Sequence, residues 1–366
     1  MSINQLQPLI SVIVPIFNAQ EYLPICLMSL ERQQYRNIEI LLIDDGSTDH
    51  SVDICKKFCA KDNRFQYFYK TNGGLSTARN YGITNSNGKF ICFIDSDDFC
   101  SKNFILTLYS SMLETKACIG VSSVVAIHGR KLIKSKAPDQ KTVIDKYKFL
   151  SACLNLRSGS SYAATGGFAC NKMFARQLIH DQRFPVIKGA EDELFLSQLL
   201  PRLSTIVYVP EAIYFYRQSL NSLSNRSDFF IHFLESRQSM LMSAANINAK
   251  KIYAAALYQA LVEQYLVQIK HQNKLIKRRD TLLKIKEIFH YIISTESFNE
   301  FEKYLRKDVV SKRKFNMLFG SPISVFSLTT KFIYGLCGWR GTFQIVVLLN
   351  KFIDKCTAIH KNADSY

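Results

Sequence analysis

The sequence predicts an α/β protein: a mixed, mainly parallel sheet between helices, with a helical C-terminal extension. Three observations carry this reading. Apolar runs alternate with helical stretches over the first hundred residues, polar residues gather at the ends of those runs, and the character changes after residue 226.

The runs at 10–17, 38–43 and 89–94 are apolar at nearly every position, as expected of parallel strands covered on both faces by helices. Helical stretches at 20–33, 50–61 and 75–85, with a shorter strand in "FQYFYK", complete a βα alternation. A doubly wound sheet follows. Residues 103–127 repeat helix and strand, and 130–160 read as a looser insertion containing Lys and Ser. In "GAEDELFLSQLL", Leu194, Leu196, Leu199 and Leu200 give a partial apolar stripe at helical spacing, which puts Glu191 and Asp192 in the first turn. "TIVYVPEAIYFYRQSLNSLSN" reads as two short strands broken at Pro210 and then a polar loop. From about Ser227 long amphipathic helices, 230–247 and 251–270, lead to the basic run "KLIKRRD" at 274–280. Two domains are expected, 1–226 and a basic helical region over 227–366.

Composition narrows the classes. A chain of 366 residues that is 47% hydrophobic and 21% charged, with no low-complexity tract, folds rather than staying disordered. Ten scattered cysteines without a CxxC pair point to reduced thiols and away from structural zinc. "MSINQLQPLISVIVPIFN" lacks a basic leader, and its apolar run is broken by Pro15, so a cytoplasmic location is expected. No uninterrupted apolar window of about 18 residues suggests a spanning helix.

Residues 240–366 hold 20 Lys and Arg against 9 Asp and Glu, which is +11 of the net +17. No helix-turn-helix, zinc-finger or aromatic RNA-binding motif accompanies that charge, so no nucleic-acid partner is expected. An anionic membrane surface or a lipid-linked phosphate suits it. "VFSLTTKFIYGLCGWRGTFQIVVLLNKFIDK", with Lys331, Arg340, Lys351 and Lys355, reads either as a helix lying on the inner membrane face or as a helical pair packed on the main domain.

In an open α/β sheet, ligands bind beyond the carboxyl ends of the strands. Here Pro15 to Asn18, Asp44 to Ser47, Asn72 to Gly74 and Asp95 to Asp98 all fall at such ends. Neither a GxGxxG nor a GxxxxGK[ST] loop is present. Acids crowded at strand ends repel one another unless a cation occupies them, and Asp95-Ser96-Asp97 suits Mg²⁺ or Mn²⁺ with phosphate oxygens completing the shell. The plain alternative is an acidic turn and helix cap. Asp44 and Asp45 offer acceptors for the imide N–H of a uracil ring, or act as turn and cap residues. In "NGGLSTARNYGI", Arg79 supplies a cation toward a nucleotide or is a solvated helix residue.

Six stretches in order, "VIVPIFNAQEYLPICLMSLERQ", "IEILLIDDGSTDHS", "NGGLSTARNYGI", "GKFICFIDSDDF", "CNKMFARQLI" and "GAEDELFLSQLL", resemble the inverting glycosyltransferases of family 2 over roughly residues 9–225. The resemblance implies the GT-A fold, a Rossmann-like arrangement, and a nucleotide-diphosphate sugar donor, with UDP expected. It implies that Pro15, Phe17, Asn18, Asp44 and Asp45 line the nucleoside pocket, with Arg79 as a second nucleotide contact. Asp97 contacts the metal, and Asp95 lies toward the ribose or the metal. The "ED" pair falls on Glu191 and Asp192, with Asp192 as base. Arg217, and more weakly Ser222, face the diphosphate. The processive members' QxxRW motif is missing and the only Trp is Trp339, so one sugar per visit is expected. By analogy the acceptor is a glycan, lipid-linked, in bacterial surface-polysaccharide synthesis. The competing readings are a non-catalytic nucleotide-sugar-binding or scaffold protein of the same fold, and a nucleotidyltransferase.

Overall fold

A computed structural model describes residues 7–154 apart from 130 and 135–137, residues 166–217 apart from 188, and scattered positions between 236 and 256. All of these fall in one compact unit, Met1–Ile292. Of the helices expected at 230–247 and 251–270, Arg237, Met240, Tyr253 and Ala256 are helical, whereas Ser243, Ala244 and Asn246, within the first expected span, are not. Ser222, the basic run and the final apolar-basic segment lie outside the described residues.

Four parallel strands form one half of the sheet, in the order β3 (Phe65–Tyr69), β2 (Ile38–Asp44), β1 (Ile10–Ile16), β4 (Phe90–Phe93). Every residue of β1 and β2 is buried, which is what their unbroken apolar runs anticipate. The helices α1 (Leu23–Glu31), α2 (Ser51–Lys61) and α3 (Leu75–Asn85) connect them. Pro15, which lacks an N–H, stands beyond Ile13–Phe93, the last β1–β4 pair. Helix α3 lies so close to β1 that a Cβ on Gly82 would meet Ile13 Cγ2 at 2.3 Å, so only glycine fits there.

After the short β5 (Phe99–Cys100) and helix α4 (Phe104–Thr115), the second half holds β6 (Ile119–His128), β7 (Lys131–Lys134), β8 (Thr142–Ile144), β9 (Lys172–Ala175) and β10 (Ile206–Arg217). Helix α5 (Lys146–Cys153) follows β8, and α6 (Arg176–Ile179) and α7 (Glu191–Gln198) stand between β9 and β10. The insertion expected at 130–160 thus contains β7, β8 and α5. The sheet continues from β4 as β9, β6, β10, β5. Strand β9 runs antiparallel to both β4 and β6, so the chain enters it from the edge where the parallel strands end.

β10 corrects the expected break at Pro210. It is one strand of 12 residues whose register with β6 slips between Val209, opposite Ser122, and Ile213, opposite Ser123. The missing proline N–H is accommodated by a bulge, and Ser123 Oγ lies 3.1 Å from Pro210 O and 3.2 Å from Ala212 O, within donating distance of both. The strand therefore continues to the site edge and delivers Arg217 there.

Candidate active site

The loops after β1 and β2 are laced together. Asn18, in a left-handed conformation (φ 48°), donates its N–H to Ser47 Oγ, and its Oδ1 accepts from Thr48 N at 2.8 Å. Ala19 N donates to Ser51 Oγ and Gln20 N to Asp49 Oδ2. Phe17, at the head of this lacing, is 53% exposed. Asp44 and Asp45 are buried instead. Asp44 accepts from Ser47 N at 2.9 Å and Tyr67 OH at 2.7 Å, while Asp45 accepts from Lys70 Nζ, Gly73 N and Gly74 N. In this conformation both carboxylates are turned inward to fix the loops that carry Phe17, Asn18 and the Gly73–Gly74 turn.

Arg79 is the centre of the site. Only 1% exposed, it is not the solvated residue that a helix surface would carry. Nη2 donates to Asp95 Oδ1 at 2.9 Å and Nη1 donates to Asp192 Oδ1, with Glu191 Oε1 at 3.8 Å; the guanidinium stands 5.1 Å from the centre of the Phe184 ring. One guanidinium therefore joins the acids after β4 to those opening α7. Burial alone lowers an arginine's proton affinity, but Asp192, Asp95 and Glu191 more than offset it and hold the charge in place.

Asp192 accepts a second bond from Ala169 N at 3.0 Å, in the loop entering β9. Its carboxyl is raised above the usual range by burial, with Arg79 opposing. Glu191 is pushed to about 7, first by burial and then by the charge of Asp192. A carboxyl whose folded pKa is raised contributes stability below its unfolded pKa, and that contribution is lost as pH rises through the folded value. Native protein should therefore lose a few degrees of melting temperature relative to Glu191→Gln between pH 5 and pH 8. Parallel melting curves for the two proteins would contradict this.

The DSDD turn divides its acids. Asp98, with no helix to cap, accepts from Tyr214 OH and Arg217 N, both at 2.7 Å, and so anchors the end of β10. Asp98 is pushed to about 8 by burial, then by Asp95 and Asp97. Asp97 is raised to about 6 by burial and then by Asp95. Arg217 Nε donates to Asp97 O at 3.1 Å, and its guanidinium lies 4.6 Å from the centre of the Tyr22 ring.

A hard divalent cation would relieve the neighbouring negative charge that helps to raise Asp97 and Asp98. Among the described residues, the ligand atoms that lie within 4.8 Å of one another belong to Asp95, Asp98 and Cys170. Asp98 is committed to β10, and burial keeps the Cys170 thiol protonated, so that trio is a poor cage for a hard ion. Asp95 and Asp97 are both partly exposed on the turn, with Asp95 already accepting from Arg79.

Lys172, Glu193 and Arg237 also belong to the site, though the sequence marks them only faintly. Lys172, buried at the start of β9, donates to Gly166 O, Phe168 O and Asn171 Oδ1, holding the loop that supplies Ala169 N–H to Asp192. A lone lysine opening the apolar stretch "KMFA" was the available clue. Glu193 binds Arg237 through two bonds, Nε to Oε2 at 3.0 Å and Nη2 to Oε1 at 3.1 Å. Arg237 also donates to Leu154 O and Ala256 O, so residues beyond 226 brace the helix that bears Asp192. The eight described cysteines are free thiols, and among the described residues no helix is long and apolar enough to cross a membrane.

Comparison with known proteins bears on the same region. Residues 11–178 match the model of Glycosyl transferase family 2. The chain is 35% identical over 221 residues to Glycosyltransferase GlyA of Streptococcus pneumoniae, a match covering 59% of this chain and 31% of GlyA. This chain thus spans about a third of that relative. It is 33% identical over 219 residues to an uncharacterised glycosyltransferase of Haemophilus influenzae, covering 60% of this chain and 82% of that protein. The fold is similar to that of S. aureus TarS 1–349, solved in complex with UDP-GlcNAc, with TM-score 0.59 and 20% identity over 81% of this chain and 79% of that one.

Proposed function

The chain belongs to glycosyltransferase family 2, and from that premise we propose that it moves one sugar at a time, with inversion, from a UDP-sugar to a hydroxyl of a glycan acceptor. The observation that carries this reading is the double grip of Arg79 on Asp95 and Asp192. A direct displacement needs a base on one side of the anomeric carbon and charge stabilisation for the diphosphate on the other. One guanidinium holds candidates for both within its own width.

In this reading the acceptor oxygen bonds to the anomeric carbon as the bond to the diphosphate oxygen breaks, and the acceptor proton passes to Asp192. Burial raises the proton affinity of Asp192, which suits a base, while Ala169 N–H and Arg79 fix its direction. Asp97 and Asp95 would hold Mn²⁺ or Mg²⁺, which supplies charge neutralisation for the departing diphosphate. Arg217, steadied over Tyr22, adds a second cation on that side. Pro15, Phe17 and Asn18 form the nucleoside wall, which Asp44 and Asp45 keep in shape. Family membership sets the nucleotidyltransferase reading aside.

The basic C-terminal region favours a lipid-linked acceptor at the inner face of a membrane, in surface-polysaccharide assembly. A screen of UDP- and GDP-sugars with Mn²⁺ or Mg²⁺ for release of nucleoside diphosphate tests the donor. UDP-sugars should be turned over, and a clear preference for GDP-sugars would overturn the choice of nucleotide. Deleting residues from about 322 onward should weaken liposome binding more than donor hydrolysis; unchanged liposome affinity would count against the interfacial role.

A further inference from the structure

The loop entering β9 carries a feature that the donor chemistry leaves unused. Phe168 is a large apolar side chain, yet 43% of it is exposed, and its ring stacks on Tyr216 with centroids 5.7 Å apart and planes 24° apart. Each ring is tied to a different half of the site. Phe168 immediately precedes Ala169, whose N–H holds Asp192, and its own carbonyl is held by Lys172. Tyr216 immediately precedes Arg217, which binds Asp97 O and Asp98.

The pose of the Phe168 ring is built in. At Gly166 (φ 42°) an added Cβ would meet Phe168 Cδ2 and Cε2 at 2.5 Å, so the ring lies across a position that only glycine leaves open. Phe168, with its ring partly exposed, and the partly buried Tyr216 therefore join the segment that holds Asp192 to the segment that holds the Asp97–Asp98 turn, the two sides between which the proposed reaction sets the attacking hydroxyl. Flat aromatic faces bind the C–H faces of sugar rings by burying apolar surface while leaving the hydroxyls free to hydrogen-bond at the edges.

We propose that the Phe168–Tyr216 pair is the acceptor platform, on which a sugar ring of the acceptor lies with one hydroxyl turned toward Asp192. This rests on the glycosyl-transfer reading and goes further. The group that receives the sugar is itself a pyranose, rather than a protein side chain or a bare lipid phosphate.

Saturation-transfer difference NMR with chitobiose, cellobiose, lactose and maltose tests the platform, with UDP binding in the presence of Mn²⁺ measured by calorimetry on the same samples. The native chain should bind at least one disaccharide. Phe168→Ala should bind it roughly tenfold less tightly, with UDP affinity and melting temperature unchanged. Phe168→Tyr should retain binding and Phe168→Leu should lose it, because a ring face and not apolar bulk is required. Gly166→Ala, which displaces the ring without removing it, should resemble Phe168→Ala.

Intact UDP binding with no disaccharide signal, or with equal signals from native and Phe168→Ala proteins, overturns the platform alone. Failure of the native chain to bind UDP overturns the donor site on which the platform depends.

Discussion

Asp192→Ala is expected to lower kcat by about 10²–10⁴-fold while leaving UDP affinity unchanged. The carboxylate accepts from Arg79 and from Ala169 N–H and stands in the first turn of α7, where the helix N-terminus favours its ionised form. Removing it deletes the acceptor for the hydroxyl proton. Arg79 keeps Asp95 and has Glu191 at 3.8 Å, so its charge stays compensated and the sheet is untouched. Single-turnover transfer and UDP calorimetry, with a melting curve as control, separate the two halves of the site. Transfer at the native rate would sink the assignment of Asp192 as base. Loss of UDP binding together with transfer would show that the residue serves the donor instead.

The largest effect on stability is expected at Arg237. Its guanidinium and the Glu193 carboxylate are both shut away from water, with side chains 4% and 11% exposed. Burial raises the proton affinity of Glu193 and the charge of Arg237 draws it back. Arg237→Met leaves that carboxylate buried without its counter-charge, a change that costs about 3–5 kcal/mol. Replacing both partners, as in Arg237→Met with Glu193→Leu, removes the stranded charge and should recover most of the loss. Urea unfolding of the single and double variants reads this directly. A double variant no more stable than Arg237→Met would mean that the carbonyl contacts to Leu154 and Ala256, and not the ion pair, hold the helices together.

The parallel half of the fold was legible because burial on both faces writes itself into the sequence. Strands expected at 10–17 and 38–43 occupy Ile10–Ile16 and Ile38–Asp44, and the helix expected at 75–85 is Leu75–Asn85. The antiparallel entry of β9 was not legible. A four-residue strand, one lysine followed by three apolar residues, carries no sign of direction, which tertiary pairing decides.

The acids at the strand ends could be named from residue type and position, but their depth could not. Asp44, Asp45 and Arg79 look polar in the sequence and are buried in the fold, because each found partners from segments far along the chain. Arg237 shows the same limit more sharply. It reads as the lone arginine of an amphipathic helix expected at 230–247, yet it reaches Glu193 across 44 positions of sequence.

The reversed course of β9 also separates two kinds of change that a lineage of such enzymes can undergo. The turns that follow β1 and β2, which form the nucleoside wall in the proposed reading, are laced to one another, so most substitutions there disturb several contacts at once. The segment from Gly166 to Cys170 instead reaches Asp192 as a single short loop, fastened by Lys172 and carrying the partly exposed Phe168. On the proposed platform, a different side chain at position 168 changes the contact offered to the acceptor and leaves the laced turns after β1 and β2 intact. Descendants of one fold can in this way keep a common activated sugar and diverge in the chain they extend.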